Sequence, residues 1–449
     1  MYRVRTILGL ALPIASVLLA QTLMSLIAIA MVSHLGDAAV AGIGIASALF
    51  STLMAVLFGI DTGVQAIVAQ RTGAGDIRLA GNALNDALAI APVAGLLLAV
   101  LGYLAGPSLF RLVTANAAVT AQGLPYLNAA LPMLLFLGAS FAFSAYRNGA
   151  GTPRYSLLVA VIQLAINTLF AYLLIFDAHL GTAGAGLGAT LAALVALAVH
   201  VLLARRIAPV PGFLATRPGL SGIRLILRIG LPVGLQQSLV YVGTAIYLAI
   251  VGLLGTGEVA AMNVVLNMML LAILPAAGMG IAAATLVGGA LGRRDTADAK
   301  RWGWQVATLG ALGISAFSLI VVAAPQGVLG LFIADRTTIE LAAAPLRVMA
   351  IGMGIDAFGR ILGFALRGAG ATRLVTLAAY SLQWGVQLPL TWLVGIHLGF
   401  GLVGMAVCRL LLFAAEALIV ATLWHNGLWI GGAINRSGST IISTARPRP

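Results

Sequence analysis

Asp356 and Arg360 stand four residues apart within an apolar stretch, a spacing that puts a carboxylate and a guanidinium on one face of a helix. Three further carboxylates, Asp61, Asp86 and Glu416, also interrupt apolar runs. An Asp at the centre of a membrane helix costs about 2.5–3.5 kcal/mol to insert, so such residues mark ion or substrate paths. Burial in hydrocarbon suits Asp356 to take up a proton. When ionised it is instead a ligand for Na⁺ or an attraction for a cationic compound. The competing reading is a static ion pair in which Arg360 holds it charged. Asp61, with Gln65 one turn on, is either a second protonatable group or a polar anchor between helices. Asp86 lies beside Asn82 and Asn85 near a helix end and reads as a cap, whereas Glu416 is two turns from Arg409 and its role stays open.

Around these charges are side chains suited to line a cavity. Tyr380, Trp384 and Met268, with Tyr241, Tyr247, Phe358 and Met269, offer aromatic faces that attract organic cations and thioethers that repack around varied shapes. The same residue types also pack helices. Asn263 and Asn267, at helical spacing, present amides to one side of their helix or bond its neighbours. No catalytic constellation appears. The five His are scattered, no metal-ligand spacing or nucleophile motif is present, and the single Cys408 excludes an intrachain disulfide. An enzyme is not expected.

The elements that must position these groups are membrane-spanning helices. Of the 449 residues, 61% are hydrophobic and only 8% charged, too few to cover a soluble chain of this size. Apolar runs of spanning length are predicted at 7–33, 43–70, 84–106, 124–148, 155–177 and 184–205, then 226–253, 262–290, 302–324, 342–367, 374–396 and 401–424. The fold class is therefore an all-α polytopic membrane protein of twelve helices. Arg3 and Arg5 ahead of the first run permit a signal-peptide reading, but that run is long enough to span. The net charge of +13 sits as Arg at the ends of runs, without interleaved aromatics, so nucleic acid is not an expected partner. Placing the amino terminus inside gives twenty basic residues on that face against three on the other, so both termini are expected in the cytoplasm.

The chain repeats itself. A shift of 219 positions pairs Pro13 with Pro232, Gly36 with Gly255, Gly73 with Gly292, Gly151 with Gly370 and Arg154 with Arg373. The expected domains are an amino-terminal six-helix bundle at 1–205, a cytoplasmic linker at 206–225, a carboxyl-terminal six-helix bundle at 226–424 and a disordered cytoplasmic tail at 425–449. Because six is even, the copies enter the membrane with one orientation. They are expected to relate by a pseudo-two-fold along the membrane normal around a central cavity, an arrangement suited to alternating access.

Leu12-Pro13, Leu35-Gly36-Asp37, Thr72-Gly73-Ala74-Gly75-Asp76 and Asn148-Gly149-Ala150-Gly151 resemble segments of the multidrug and toxic compound extrusion (MATE) family. So do Gly230-Leu231-Pro232, Ala260-Ala261-Met262-Asn263, Leu366-Arg367-Gly368-Ala369-Gly370 and Leu388-Pro389-Leu390. Each motif is weak alone; their order and repetition make the match. The resemblance implies an ion-coupled exporter and places Asp356 where the sodium- or proton-coupled bacterial members carry a carboxylate. It places Asn167 on the usual Asn of the fifth helix. The chain also departs from the pattern: the first-helix Asp is Ala28, the polar residue after Asn167 is Ala171, and the seventh-helix Glu falls near Val240, with Gln236 one turn earlier. An amino-half cation site is thus largely missing, and Asp61 is the residue available to replace it.

The expected function is secondary active efflux: an antiporter exporting amphipathic, often cationic organic compounds in exchange for H⁺ or Na⁺, with no cofactor. Asp356 and Asp61 are the ion-coupling candidates, and Asp356 is the candidate Na⁺ ligand. Arg360, Asn263, Asn267, Gln236, Asn167, Tyr380, Trp384 and Met268 are the cavity candidates. Expected partners are small organic substrates and membrane lipids, the expected location is the plasma (bacterial inner) membrane, and the working unit is a monomer. The alternatives are a lipid or lipid-linked oligosaccharide flippase of related fold and a dedicated exporter of one metabolite.

Overall fold

The structure, a computed structural model, describes residues 2–333 and 335–430 and is built from helices. In chain order these are α1 (Tyr2–Val32), α2 (Asp37–Gly73), α3 (Ile77–Val113), a bent α4 (Ala117–Ala130 then Met133–Gly149), α5 (Arg154–Asp177) and α6 (Gly181–Ile207). The second series is α7 (Leu220–Gly252), α8 (Thr256–Gly292), α9 (Thr296–Ala323), α10 (Arg336–Gly368), α11 (372–397) and α12 (Gly401–His425). Among the described residues, ten helices are long and apolar enough to cross a membrane, eleven when α4, bent by 49°, counts as one span. The remaining expected span, α11, is helical throughout but passes through π turns at Ser381–Gln387 and Leu393–His397. The twelve helical segments match the twelve read from the sequence, and the chain is an integral membrane protein.

Turns fall where the sequence places its glycines. Gly151 and Gly370, mates under the 219-residue shift, both adopt the left-handed conformation, at φ 75° and 84°, and so end a helix without the Cβ clash another residue would meet.

Contacts divide the chain into two compact units, and the first helix of each series is shared between them. Among the described residues, Ser16–Ser238 form the amino unit, while 2–15 and 239–430 form the carboxyl unit. In the amino unit the first half of α7 packs on α2 through paired glycines: a Cβ on Gly230 would stand 2.0 Å from the Gly59 carbonyl oxygen. In the carboxyl unit the first half of α1 packs on α8 at the repeat-related place, where a Cβ on Gly278 would meet Ala15 Cβ at 2.8 Å.

The stretch joining the two series is docked within the amino unit. Asn85 donates to the Gly212 carbonyl at 2.8 Å and accepts from the Leu214 amide at 2.9 Å. Thr216 donates to Asn82 at 2.9 Å, and Asp86 accepts the Gly219 amide at 2.7 Å, one residue ahead of α7. Arg147 donates to the Ala208 carbonyl at 2.7 Å. These bonds hold Leu214 in a left-handed conformation, φ 57°, that a γ-branched residue adopts rarely. The expected tail begins with ordered chain: Trp429 is fully buried, stacks on Trp424 at 4.3 Å and donates to its carbonyl. Residues 431–449 of that tail lie outside the described residues.

Candidate functional site

In the carboxyl unit α10 turns one face to α12 because small residues line it. A Cβ on Gly352 would meet Leu410 and Phe413, and one on Gly359 would meet Ala417 at 3.0 Å. Asp356 and Arg360 occupy the same stripe, one turn beyond Gly352 and beside Gly359, so both face the α12 residues around Phe413 and Ala417. Arg360 Nε donates to Asp356 Oδ2 at 2.7 Å, with the Asp356 side chain 9% exposed and that of Arg360 35% exposed. Here the (i, i+4) pair anticipated from spacing forms.

Across this face α12 contributes Arg409 and Glu416, two turns apart, with Phe413 between them. Glu416 lies within electrostatic reach of Arg360, Asp356, Arg367 and Arg409, yet among the described residues it bonds to none of them. The Arg409 guanidinium lies 5.6 Å from the ring centre of Phe413 and 5.6 Å from that of Tyr247 on α7. Tyr247 is itself fully buried and donates to the Met262 sulfur at 3.5 Å. Arg409 Nε is buried with no hydrogen-bond partner, and so is Arg367 Nε, whose guanidinium stacks on Phe364 at 4.8 Å. Three guanidinium groups thus share this region with two carboxylates, so positive charge is in excess by at least one.

The aromatic and amide candidates divide. Met268 and Trp384 pack on the same apolar cluster as Tyr247, Met262, Met269 and Met353. Tyr380 is 43% exposed and stacks on Trp384 at 6.1 Å. Among the described residues, the amide N–H groups of Asn263 and Asn267 do not bridge helices: each donates to the carbonyl four residues earlier in α8, Val259 and Asn263 respectively.

In the amino unit Asp61 sits on α2, twelve residues before the helix ends at Gly73, or about 18 Å along the axis at 1.5 Å per residue. It is 7% exposed and, among the described residues, makes no hydrogen bond and no ion pair. Asn167 on α5 and Gln236 on α7 are buried in the same unit, at 4% and 9% exposure. Asp86 is not the cap its position suggested: α3 begins at Ile77, nine residues earlier, and the Asp86 carboxylate instead holds the Gly219 amide of the joining stretch. Arg367 closes the predicted 342–367 span and Arg409 has only Glu416 two turns away, so neither stands out in the sequence. The signal for the latter was Phe413 one turn on; the Tyr247 contact is between distant parts of the chain and has no local signature.

The MatE family model matches residues 13–173 and again 232–393, two stretches that begin 219 residues apart and span most of the chain. The chain belongs to the MatE family. A MatE relative from Pseudomonas putida, named "Probable multidrug resistance protein NorM", is 31% identical over 97% of this chain and 98% of its own. One of the same name from Bradyrhizobium diazoefficiens is 30% identical over 89% of this chain and 88% of its own. Among solved structures, a MATE protein in the straight conformation superposes with a TM-score of 0.87 at 20% identity, covering 94% of this chain and 95% of that one. A MOP-superfamily transporter from Pyrococcus furiosus, described for the reverse polarity of its binding pocket, superposes with a TM-score of 0.85 at 19% identity over 94% and 95%. At those identities the structural likeness speaks for the fold. The MatE membership makes the chain a transporter.

Proposed function

We infer that this protein is a secondary active multidrug exporter that exchanges amphipathic organic compounds for protons, with Asp61 as the group that carries the proton. The supporting observation is a contrast in charge compensation. A carboxylate in a membrane helix is costly when charged and unpaired. Asp356 already has its countercharge in Arg360 at 2.7 Å, whereas Asp61 has neither cation nor donor among the described residues. A proton arriving from outside is the simplest compensation for Asp61; a cationic compound arriving from the cytoplasm is the other. The two then compete. Each weakens the other's binding by the same factor, which is the thermodynamic content of antiport. A Na⁺ ion at Asp356 would have to displace the Arg360 guanidinium, so protons are the better-supported coupling ion.

The relatives' names support the multidrug reading, and the basic residues on one face support cytoplasmic termini in a bacterial inner membrane. Export by a monomer through alternating access completes the proposal. It is tested in vesicles by following efflux of a fluorescent organic cation under a pH gradient alone and a Na⁺ gradient alone, for wild type, Asp61→Asn and Asp356→Asn. The expected result is pH-driven export in wild type that Asp61→Asn loses and Asp356→Asn retains in part. Export driven by Na⁺ alone, or full pH-driven export by Asp61→Asn, refutes the assignment.

A further inference from the structure

We propose that Arg409 is an anion-anchoring residue of the carboxyl unit, selecting compounds that carry an acidic group beside their cationic or aromatic part. The inference rests on the transport reading above and deepens it by naming a substrate feature. Four observations within one unit lead to it. Arg409 lies in α12, a spanning helix, where an uncompensated guanidinium is costly. Its Nε is buried without an acceptor, and it forms no hydrogen bond or ion pair among the described residues. The carboxylate nearest in kind, Asp356, is occupied by Arg360 at 2.7 Å, and Glu416, in electrostatic reach of all three guanidiniums, is bonded to none. Finally, Tyr247 and Phe413 each approach the Arg409 guanidinium at 5.6 Å, and Tyr247 is fixed by complete burial.

A guanidinium oriented by aromatic rings keeps its planar fork of donors pre-set for a carboxylate or phosphate and loses little freedom on binding one. At least one net positive charge remains in the cluster to be matched, which an anionic group supplies. That group belongs either to the transported compound or to a lipid headgroup. Excess positive charge also opposes a plain cation at this spot, so selectivity follows from repulsion as well as attraction.

The test uses a matched pair of dyes: rhodamine B, which has a free carboxylate, and its ethyl ester, which lacks it. Equilibrium binding to the full-length protein in neutral detergent at fixed pH, without any ion gradient, keeps the outcome independent of proton coupling. Arg409→Gln is expected to weaken rhodamine B at least tenfold and the ester less than threefold, with Arg409→Lys intermediate. In wild type, benzenesulfonate is expected to compete with rhodamine B and not with the ester, which tests the subsite even where the Gln variant does not fold. Repeating the binding in nanodiscs with and without phosphatidylglycerol assigns the anion. Preference for rhodamine B that survives the lipid makes it the compound's own group, and preference abolished by the lipid makes it a headgroup. Equal weakening of both dyes by Arg409→Gln, or no competition by benzenesulfonate, overturns the proposal.

Discussion

Asp61 in the amino unit and Asp356 in the carboxyl unit each stand twelve residues before the end of their helix, at Gly73 and Gly368, but in opposite electrostatic company. Asp356 belongs to a group of five charges, bonded by Arg360 and faced by Glu416 and Arg409 from α12. Asp61 has no charged or hydrogen-bonding partner among the described residues. Under the 219-residue shift the mate of Asp61 is Gly280, and those of Asp356 and Arg360 are Leu137 and Phe141. The duplication copied the scaffold and not the charges. Two similar frames thereby hold different electrostatics: an unpaired carboxylate in one, a carboxylate with its countercharge in the other.

If the comparison holds, removing a countercharge matters most where one exists. Arg360→Ala leaves Asp356 buried and uncompensated and is expected to cost about 3 kcal/mol, the low end for a broken buried pair because a third of the Arg360 side chain is exposed. The double variant Asp356→Asn/Arg360→Gln should recover most of that loss in a thermal unfolding assay. A double variant no more stable than Arg360→Ala would show that the pair is not what compensates Asp356.

The repeat-related helix contacts offer a second, smaller comparison. Gly230→Ala places a Cβ 2.0 Å from a backbone oxygen that cannot yield, and overpacking of this kind costs about 1–3 kcal/mol. Gly278→Ala meets a side-chain carbon at 2.8 Å and should cost less. Melting temperatures in detergent in the reverse order would contradict the packing described for the two units.

Asn85→Ala removes bonds to Gly212 and Leu214 and is expected to cost about 1 kcal/mol, since two partly exposed backbone groups lose their partner. It should also make the 208–219 stretch cleavable by added protease while Asn116→Ala, at the cap of the first segment of α4, does not. The smallest effect concerns Asp335, the cap of α10. The Thr338 hydroxyl and the Thr338 and Thr337 backbone amides donate to its carboxylate and hold it below the usual carboxylate range. A lowered value means that its contribution is present above the unfolded pKa, about 3.9, and is lost as pH falls through the folded one. The melting-temperature difference between wild type and Asp335→Ala should therefore be present at pH 7 and vanish in acid.

Much of this was legible in the residues. Gly151 and Gly370 announce their turns, the apolar runs announce their helices, and the spacing of Asp356 and Arg360 announces their bond. Asp86, Asn82 and Asn85 read as end-of-helix polar groups, yet they lie within α3 and bind the 212–219 stretch, a partner with no local signature. What local pattern could not reveal are contacts between distant parts of the chain. The first half of α1 packs against α8, Tyr247 of α7 meets Arg409 of α12, and Asn85 reaches Gly212. For the same reason the sequence offers Asp356 and Asp61 alike as coupling candidates. Only packing distinguishes a carboxylate that has found a cation from one that has not.

Protons released on ligand binding report directly on the uncompensated carboxylate. Purified protein in weakly buffered detergent, mixed with a permanently charged organic cation near neutral pH, should release up to one proton per bound ligand in wild type and in Asp356→Asn, and none in Asp61→Asn. Undiminished release from Asp61→Asn, with binding intact, would contradict the account.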